Sequence, residues 1–99
     1  MTENNELRIS STSEPAKVGG AIAALMKEQY KTVGNKAQIE LKSLGAGALN
    51  QAIKSVIVAR GYLAPMGMNL YCIPAFGETE PKENEESRTL IRLILRTEV

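Results

Sequence analysis

The sequence contains no histidine and no aspartate, and its one cysteine is Cys72. Proteins hold zinc and related metals mainly through Cys and His side chains, so a site of that type is excluded, and so is a catalytic triad built on histidine. A single cysteine cannot form an internal disulfide bond, which suits a reducing compartment. Because Cys72 lies in an apolar stretch, we interpret it as a small core residue. We expect neither a metal nor a cofactor.

Long apolar runs are also absent. No stretch approaches the ~20 residues of a membrane-spanning helix, and no segment resembles a secretory signal. We therefore expect a cytoplasmic protein that makes no membrane contact. The 99 residues suffice for one domain with a single core. Residues 1–99 are predicted to form that domain, with residues 1–5 frayed.

Catalytic groups are few and poorly placed. Ser43 follows Lys42 and Ser55 follows Lys54, but adjacent side chains point apart on a strand or a helix, which disfavours Ser–Lys chemistry. The sequence Gly-Ala-Gly at 45–47 lacks the Lys-Ser/Thr that completes a nucleotide-hydrolysing loop. We expect no enzymatic activity and no small-molecule substrate.

Neither sign of charge is in large excess, since the net charge is only +1. Its distribution is uneven, because residues 78–86 hold five glutamates and one lysine, −4, which leaves +5 on the rest of the chain. That framework is mildly basic, and less so than a dedicated DNA coat protein. Residues 77–87 combine Gly, Pro and glutamate, and they predict an acidic mobile loop between two strands.

Apolar periodicity predicts six elements. They are strands at 7–11, 37–44, 69–76 and 89–96, and helices at 14–34 and from the turn at 45–47 to Gly61. The order β-α-β-α-β-β with right-handed crossovers predicts an α/β two-layer sandwich (α+β), with two helices on one face of a four-stranded mixed sheet. The order of the strands stays open. Pro74 cannot donate a ladder hydrogen bond, so its strand is expected at a sheet edge or with a bulge.

The first predicted helix follows Ser10–Ser13, whose hydroxyls are candidates for its N-cap. Its apolar stripe runs from Val18 to Val33. Gly19 and Gly20, with several alanines, make the helix thin, so that the sheet or the second helix can approach closely.

The second predicted helix begins at the Gly-Ala-Gly turn and ends at Gly61 as its left-handed cap. Its apolar stripe is expected to be Leu49, Ala52, Ile53, Val56 and Arg60. The glycines have two interpretations, and both stay open. They serve the geometry of a tight strand-to-helix turn, or they also expose backbone N–H groups to a phosphate.

Four segments resemble the bacterial stage V sporulation protein S family. They are A-K-V-G-G-A-I-A-A-L (16–25), G-A-G-A-L-N-Q-A (45–52), A-R-G-Y-L-A-P (59–65) and C-I-P-A-F (72–76). The resemblance covers residues 7–96. It implies an Alba-like domain, the two-layer fold of archaeal chromatin proteins and some RNA-binding proteins, and a role in bacterial development.

The resemblance implies nucleic-acid contacts at the strand–helix turns, and the residues there include several phosphate-binding types. The candidates are Ser11, Ser13, Lys17, Lys42, Gly45, Gly47, Asn50, Gln51 and Lys54. Asn50 and Lys54 are four residues apart and share a helix face. The chain departs from the pattern at the first turn, where Ser-Ser-Thr-Ser stands in place of the paired lysines of many Alba proteins. Hydroxyls bond phosphates, but without charge they release fewer counterions.

The last strand alternates arginine with aliphatic residues on one face, namely Arg88, Leu90, Arg92, Ile94 and Arg96. One interpretation is that the arginine stems cover the outer sheet surface. The other is that Leu90, Arg92 and Ile94 form an interface in a homodimer or tetramer, since no helix of this chain covers that face. Two functions follow from the sequence. One is an oligomeric nucleic-acid-binding regulator of DNA or RNA, and the other is a self-associating structural or adaptor protein that binds protein.

Overall fold

The computed structural model describes residues 5–99. The elements are β1 (Glu6–Ile9), α1 (Pro15–Val33), β2 (Gln38–Ser43), α2 (Ala46–Leu63), β3 (Asn69–Glu78) and β4 (Thr89–Glu98). A short 3-10 turn follows each helix, at Gly34–Lys36 and Ala64–Met66. The predicted order β-α-β-α-β-β is confirmed. The prediction that residues 1–5 are frayed lies, for residues 1–4, outside the described range. The carbonyl of Asn5 accepts a hydrogen bond from the amide of Glu40 at 2.9 Å.

The four strands form one mixed sheet in the order β1-β2-β4-β3. β1 and β2 are parallel, and β4 is antiparallel to both β2 and β3. Both helices pack on the same face of the sheet, so the predicted two-layer sandwich is confirmed. The opposite face, called here the open face, carries no element of the described chain. β3 lies at the edge, as Pro74 predicted, and its register with β4 runs unbroken from Asn69 to Glu78.

The core lies between the helices and the inward side chains of the strands. Its fully buried members include Ile22 and Met26 of α1, Ile39 and Leu41 of β2, Ala52, Ala59 and Leu63 of α2, and Leu95 of β4. Burying each of the larger aliphatic side chains stabilises the fold by about 1.5–3 kcal/mol relative to exposure.

The helices approach each other most closely at Gly19. A Cβ atom on Gly19 would lie 2.5 Å from Cγ1 of Val58 and 3.0 Å from the carbonyl oxygen of Ser55. A Cβ on Gly20 would meet nothing within 4 Å. The predicted close approach of a thin helix is confirmed, and it is made by Gly19 against α2.

The predicted end of α2 at Gly61 is wrong. The helix continues to Leu63, and the left-handed residue is Gly67, with φ 77°. Glycine inside a helix costs about 1 kcal/mol relative to alanine. The fully buried Leu63 offsets that cost by anchoring one more turn.

Further details also differ from the predictions. The buried face of α2 is Ala48, Ala52, Ser55, Val56, Ala59 and Leu63. Ile53 and Arg60 lie on the exposed side, as does Val33 at the end of α1. β1 ends at Ile9, and β3 continues to Glu78, so the acidic segment begins two residues later than predicted.

Within residues 5–99, neither helix is long and apolar enough to cross a membrane.

Candidate nucleic-acid interface

Parallel pairing of β1 and β2 brings the two strand–helix junctions side by side. Ile9 is opposite Ser43 in the register, so the segments that follow the two strands leave the sheet at the same edge. The first segment, Ser10–Glu14, leads into α1, and the second, Leu44–Gly45, leads into α2. We call this the junction edge.

Two contacts hold the junctions together. A Cβ on Gly47 would lie 3.0 Å from Cβ of Ser11, so the first turn of α2 is packed directly against the first junction. The side-chain amide of Gln51 donates to the carbonyl oxygen of Ser13 at 3.0 Å. The two glycines of the predicted Gly-Ala-Gly turn therefore have different roles. Gly45 has φ 94° and forms the turn, whereas Gly47 is already helical and leaves room for Ser11.

Both helices begin at this edge without a side-chain cap from residues 5–99. The N-cap residues are Glu14 and Gly45, and neither helix has an acidic residue in its first turn. The first intrahelical bonds are donated by Val18 and Leu49. The amides before them have no acceptor within the helix, and each helix places its positive dipole end there.

The serines of the first junction do not cap α1, contrary to the sequence prediction. The amide of Ser10 donates to Oγ of Ser13 at 2.9 Å, and the hydroxyls of Ser10 and Thr12 are 3.1 Å apart. The local turn is closed by the amide of Ser13, which donates to the carbonyl of Ser10 at 3.1 Å. Ser11 is exposed, and its hydroxyl has no partner within the described residues.

The three candidate lysines occupy different surroundings. Nζ of Lys17 lies 2.9 Å from Glu14 in an exposed ion pair, which contributes little to stability. Lys54 is exposed on α2, one turn beyond Asn50, whose amide donates to Oε1 of Gln51 at 3.2 Å. Lys42 lies on the open face, where its Nζ is 3.0 Å from Glu6. The structure therefore brings the serines, glycines, Asn50 and Gln51 together, and it separates Lys42 from Lys54 by the thickness of the sheet.

Residues 5–98 match the family model of Stage V sporulation protein S (SpoVS). The chain belongs to the stage V sporulation protein S family. As a member of this family, the chain is a regulatory protein of sporulation. The family is not a known enzyme family.

The open face of this family member is held by a second ion pair. Nε of Arg92 donates to Oε1 of Glu40 at 2.8 Å, and a second guanidinium nitrogen contacts the same oxygen. The hydrogen bond and the charge of Glu40 raise the pKa of Arg92, so the guanidinium stays charged at any ordinary pH. Of the predicted interface residues, Arg92 is thus engaged within the chain and Leu90 is only 8% exposed. Ile94 pairs with Ile73, which is 46% exposed. The exposed apolar surface of the open face therefore lies nearer to β3 than the predicted interface did.

In this family member, the hydroxyls of Ser43 and Ser55 bond to backbone carbonyls and not to a lysine, as Ser–Lys chemistry would require. The hydroxyl of Ser43 donates to the carbonyl of Ile91 at 3.2 Å, and that of Ser55 to the carbonyl of Gln51 at 2.7 Å. Both serines are buried, and Cys72 is half-buried against the core. In the described range, no group of three or more potential acidic or thiol ligands is placed to hold a metal.

Sequence reasoning missed Arg8 as a residue of this edge. Its side chain lines two clefts beside the acidic segment, one of about 210 Å³ and one of about 360 Å³. The signal in the sequence was the alternation of Leu7, Arg8 and Ile9, which places Arg8 on the face opposite the core. Only the insertion of β4 between β2 and β3 brings the acidic segment to it.

Proposed function

We propose that this sporulation regulatory protein binds the backbone of DNA or RNA at the junction edge and does so as an oligomer. The observation that supports this most strongly is the pair of adjacent helix N-termini, which lack both side-chain caps and first-turn acids. Free amides and two dipole ends together favour a phosphate. Exposed hydroxyl and amide groups of Ser11 and Asn50 lie beside them.

The neighbouring charges favour the same ligand. α2 contains two basic residues, Lys54 and Arg60, and no acidic one. Lys17 adds a cation in the first turn of α1, and Glu14 neutralises it only through a solvent-exposed ion pair. A backbone ligand that crosses the junction edge therefore meets amides first and lysines at either side. Phosphate contacts of this kind position a protein on nucleic acid without selecting a sequence.

The experiment is binding of fluorescent DNA and RNA fragments across a salt series. Lys54→Ala and Lys17→Ala are expected to weaken binding and to reduce the salt slope by about one unit each. Lys31→Ala is the matched control, because Lys31 is exposed in the last turn of α1, far from the junction edge. Lys42→Ala is expected to have little effect, since Lys42 lies on the open face and pairs with Glu6. Absence of salt-dependent binding by the wild-type protein contradicts the proposal.

One observation favours the second candidate, an adaptor that binds protein. Phe76 is 78% exposed near the end of β3, beside a shallow cavity of about 300 Å³ that Pro74, Ala75 and Ile91 also line. Exposed aromatic side chains next to apolar depressions are typical anchors of protein interfaces. Phe76→Ser should abolish partner binding under this candidate and leave nucleic-acid binding unchanged under the first.

A further inference from the structure

The acidic segment forms a closed loop at the junction edge. The amide of Thr79 donates to the carbonyl of Arg88 at 2.8 Å, and the amide of Arg88 donates back to Oγ1 of Thr79 at 2.8 Å. A further turn within the loop is closed by the amide of Glu85 and the carbonyl of Lys82 at 2.9 Å. We call residues 80–87 the acidic loop. It carries four glutamates and one lysine.

The loop faces the ends of the two parallel strands. A cleft of about 360 Å³ lies between them and is lined by Arg8 and Leu44 of the strand ends and by Glu80, Glu85 and Glu86 of the loop, together with the cations Lys82 and Arg88. A smaller cleft of about 210 Å³ places Glu78 and Glu80 near Arg8 and Lys42. Arg8 forms no ion pair within residues 5–99, and Lys42 pairs with Glu6. The loop therefore adds negative charge around a cation that is otherwise available.

These strand ends lead directly into the junctions. Ile9, beside Arg8, precedes Ser10, and Leu44 precedes Gly45 at the N-cap of α2. A nucleic-acid backbone that reached the free amides of the junction edge would pass close to the acidic loop and to Arg8. The cations and carboxylates that line the two clefts balance, but the loop itself carries a net charge of −3, so it places negative charge beside any phosphate on this side of the edge.

We propose that the acidic loop is an autoinhibitory cover, which screens Arg8 and repels nucleic acid from the junction edge. This inference rests on the proposed function and concerns the regulation of the same site. Any change that neutralises or displaces the loop exposes Arg8 to phosphate and raises affinity. The effect is electrostatic, so it is strongest at low salt and fades as salt screens the loop.

The test compares two variants with the same net charge. The loop variant is Glu80→Gln with Glu85→Gln. The control is Glu28→Gln with Glu98→Gln, two exposed glutamates at the opposite end of the strands, on α1 near Gln38 and at the end of β4. Each variant is titrated into a short mixed-sequence DNA duplex and a single-stranded RNA of equal length. At low salt the loop variant is expected to bind about tenfold more tightly than wild type, and the control less than about twofold more tightly. Equal gains in the two variants overturn the proposal.

A second measurement tests the role of Arg8. Arg8→Gln is expected to reduce affinity less than about twofold in the wild-type background and about fivefold in the loop variant, because only there does Arg8 reach phosphate. Equal losses in the two backgrounds overturn the screening role. Circular dichroism melting of each variant checks that it is folded.

The outcomes separate this inference from the proposed function. If wild type binds and the loop variant gains no more than the control, the proposed function survives and the cover is rejected. If neither wild type nor the loop variant binds any nucleic acid at low salt, both are rejected. Binding by the loop variant alone supports both.

Discussion

The side-chain amide of Gln51 donates to the carbonyl oxygen of Ser13 across 38 residues of sequence, at 3.0 Å. This bond joins the segment before α1 to the second turn of α2 and so ties the two junctions together. Ser11 against Gly47 provides the second contact. The candidate site is thus one structural unit, although its parts come from separate motifs.

Gln51→Ala is expected to lower the free energy of unfolding by about 1 kcal/mol, because it removes a part-buried hydrogen bond and leaves the Ser13 carbonyl without that side-chain donor. Asn50→Ala, at the preceding residue, is the matched control. Asn50 is exposed and bonds only to Gln51, so the expected change is within about 0.5 kcal/mol. Urea unfolding measures both, and equal effects would show that the junction bond is unimportant.

The adjacent glycines of α1 should respond in opposite directions to alanine. Gly19→Ala places a Cβ 2.5 Å from Val58, and the overpacking is expected to destabilise the protein by about 1–3 kcal/mol. Gly20→Ala meets open space and should stabilise the protein by up to about 1 kcal/mol through helix propensity. Thermal melts of the two variants decide this. Val58→Gly removes both Cγ1 and the Cβ atom that would lie 2.6 Å away, so a double-mutant cycle should show that it relieves part of the cost of Gly19→Ala. No coupling in that cycle would place the strain elsewhere.

Pro74 is expected to protect the exposed edge of β3. The bond from Thr79 to Arg88 continues the β3–β4 ladder, so the alternation directs the backbone groups of residues 70, 72, 74, 76 and 78 outward. Pro74 removes one outward donor from that row, and such gaps discourage pairing with another chain. Pro74→Val should promote association of β3 edges at high concentration or on heating, as measured by sedimentation velocity and light scattering. Ala75→Val is the control, because its backbone faces β4. If Pro74→Val associates no more than this control, Pro74 has no protective role.

Self-association is predicted to use the open face, around Ile73 and Ile94. Ile73→Glu should dissociate the homodimer or tetramer, since it places a charge in an apolar contact. Ile57→Glu is the control on the other layer, where Ile57 is 64% exposed on α2. Sedimentation equilibrium distinguishes the two. Dissociation by Ile57→Glu alone would move the interface to α2, and a wild-type monomer at high concentration would rule out the oligomer.

The acidic loop is predicted to be dispensable for folding. Replacing residues 80–87 by Asn-Gly keeps Thr79 and Arg88 as the closing pair, and Asn-Gly suits a two-residue hairpin turn. The melting temperature should stay within a few degrees, because the loop buries little apolar surface and shortening a loop changes closure entropy only slightly. A large loss of stability would mean that the loop's contacts with Arg8 and Leu44 support the fold.

The order and type of the elements could be predicted from local pattern. Alternation marked the strands, apolar stripes marked the helices, and Pro74 placed β3 at the edge, because each of these signals acts through residues close in sequence. The thin helix was also foreseen. Its partner stayed open between the sheet and the second helix, since the contact of Gly19 with Val58 joins residues far apart in the chain.

The composition of the candidate site was decided by the tertiary structure. Lys42 and Lys54 were grouped from sequence, yet strand alternation and the helix layer put them on opposite sides of the sheet. The serines were expected to cap α1, but their hydroxyls bond within their own turn. Parallel pairing of β1 with β2 joined the junctions, and the insertion of β4 beside β2 carried the acidic loop to Arg8. Local sequence signals fix which residues can form helix or strand, whereas long-range pairing alone fixes which charges share an edge.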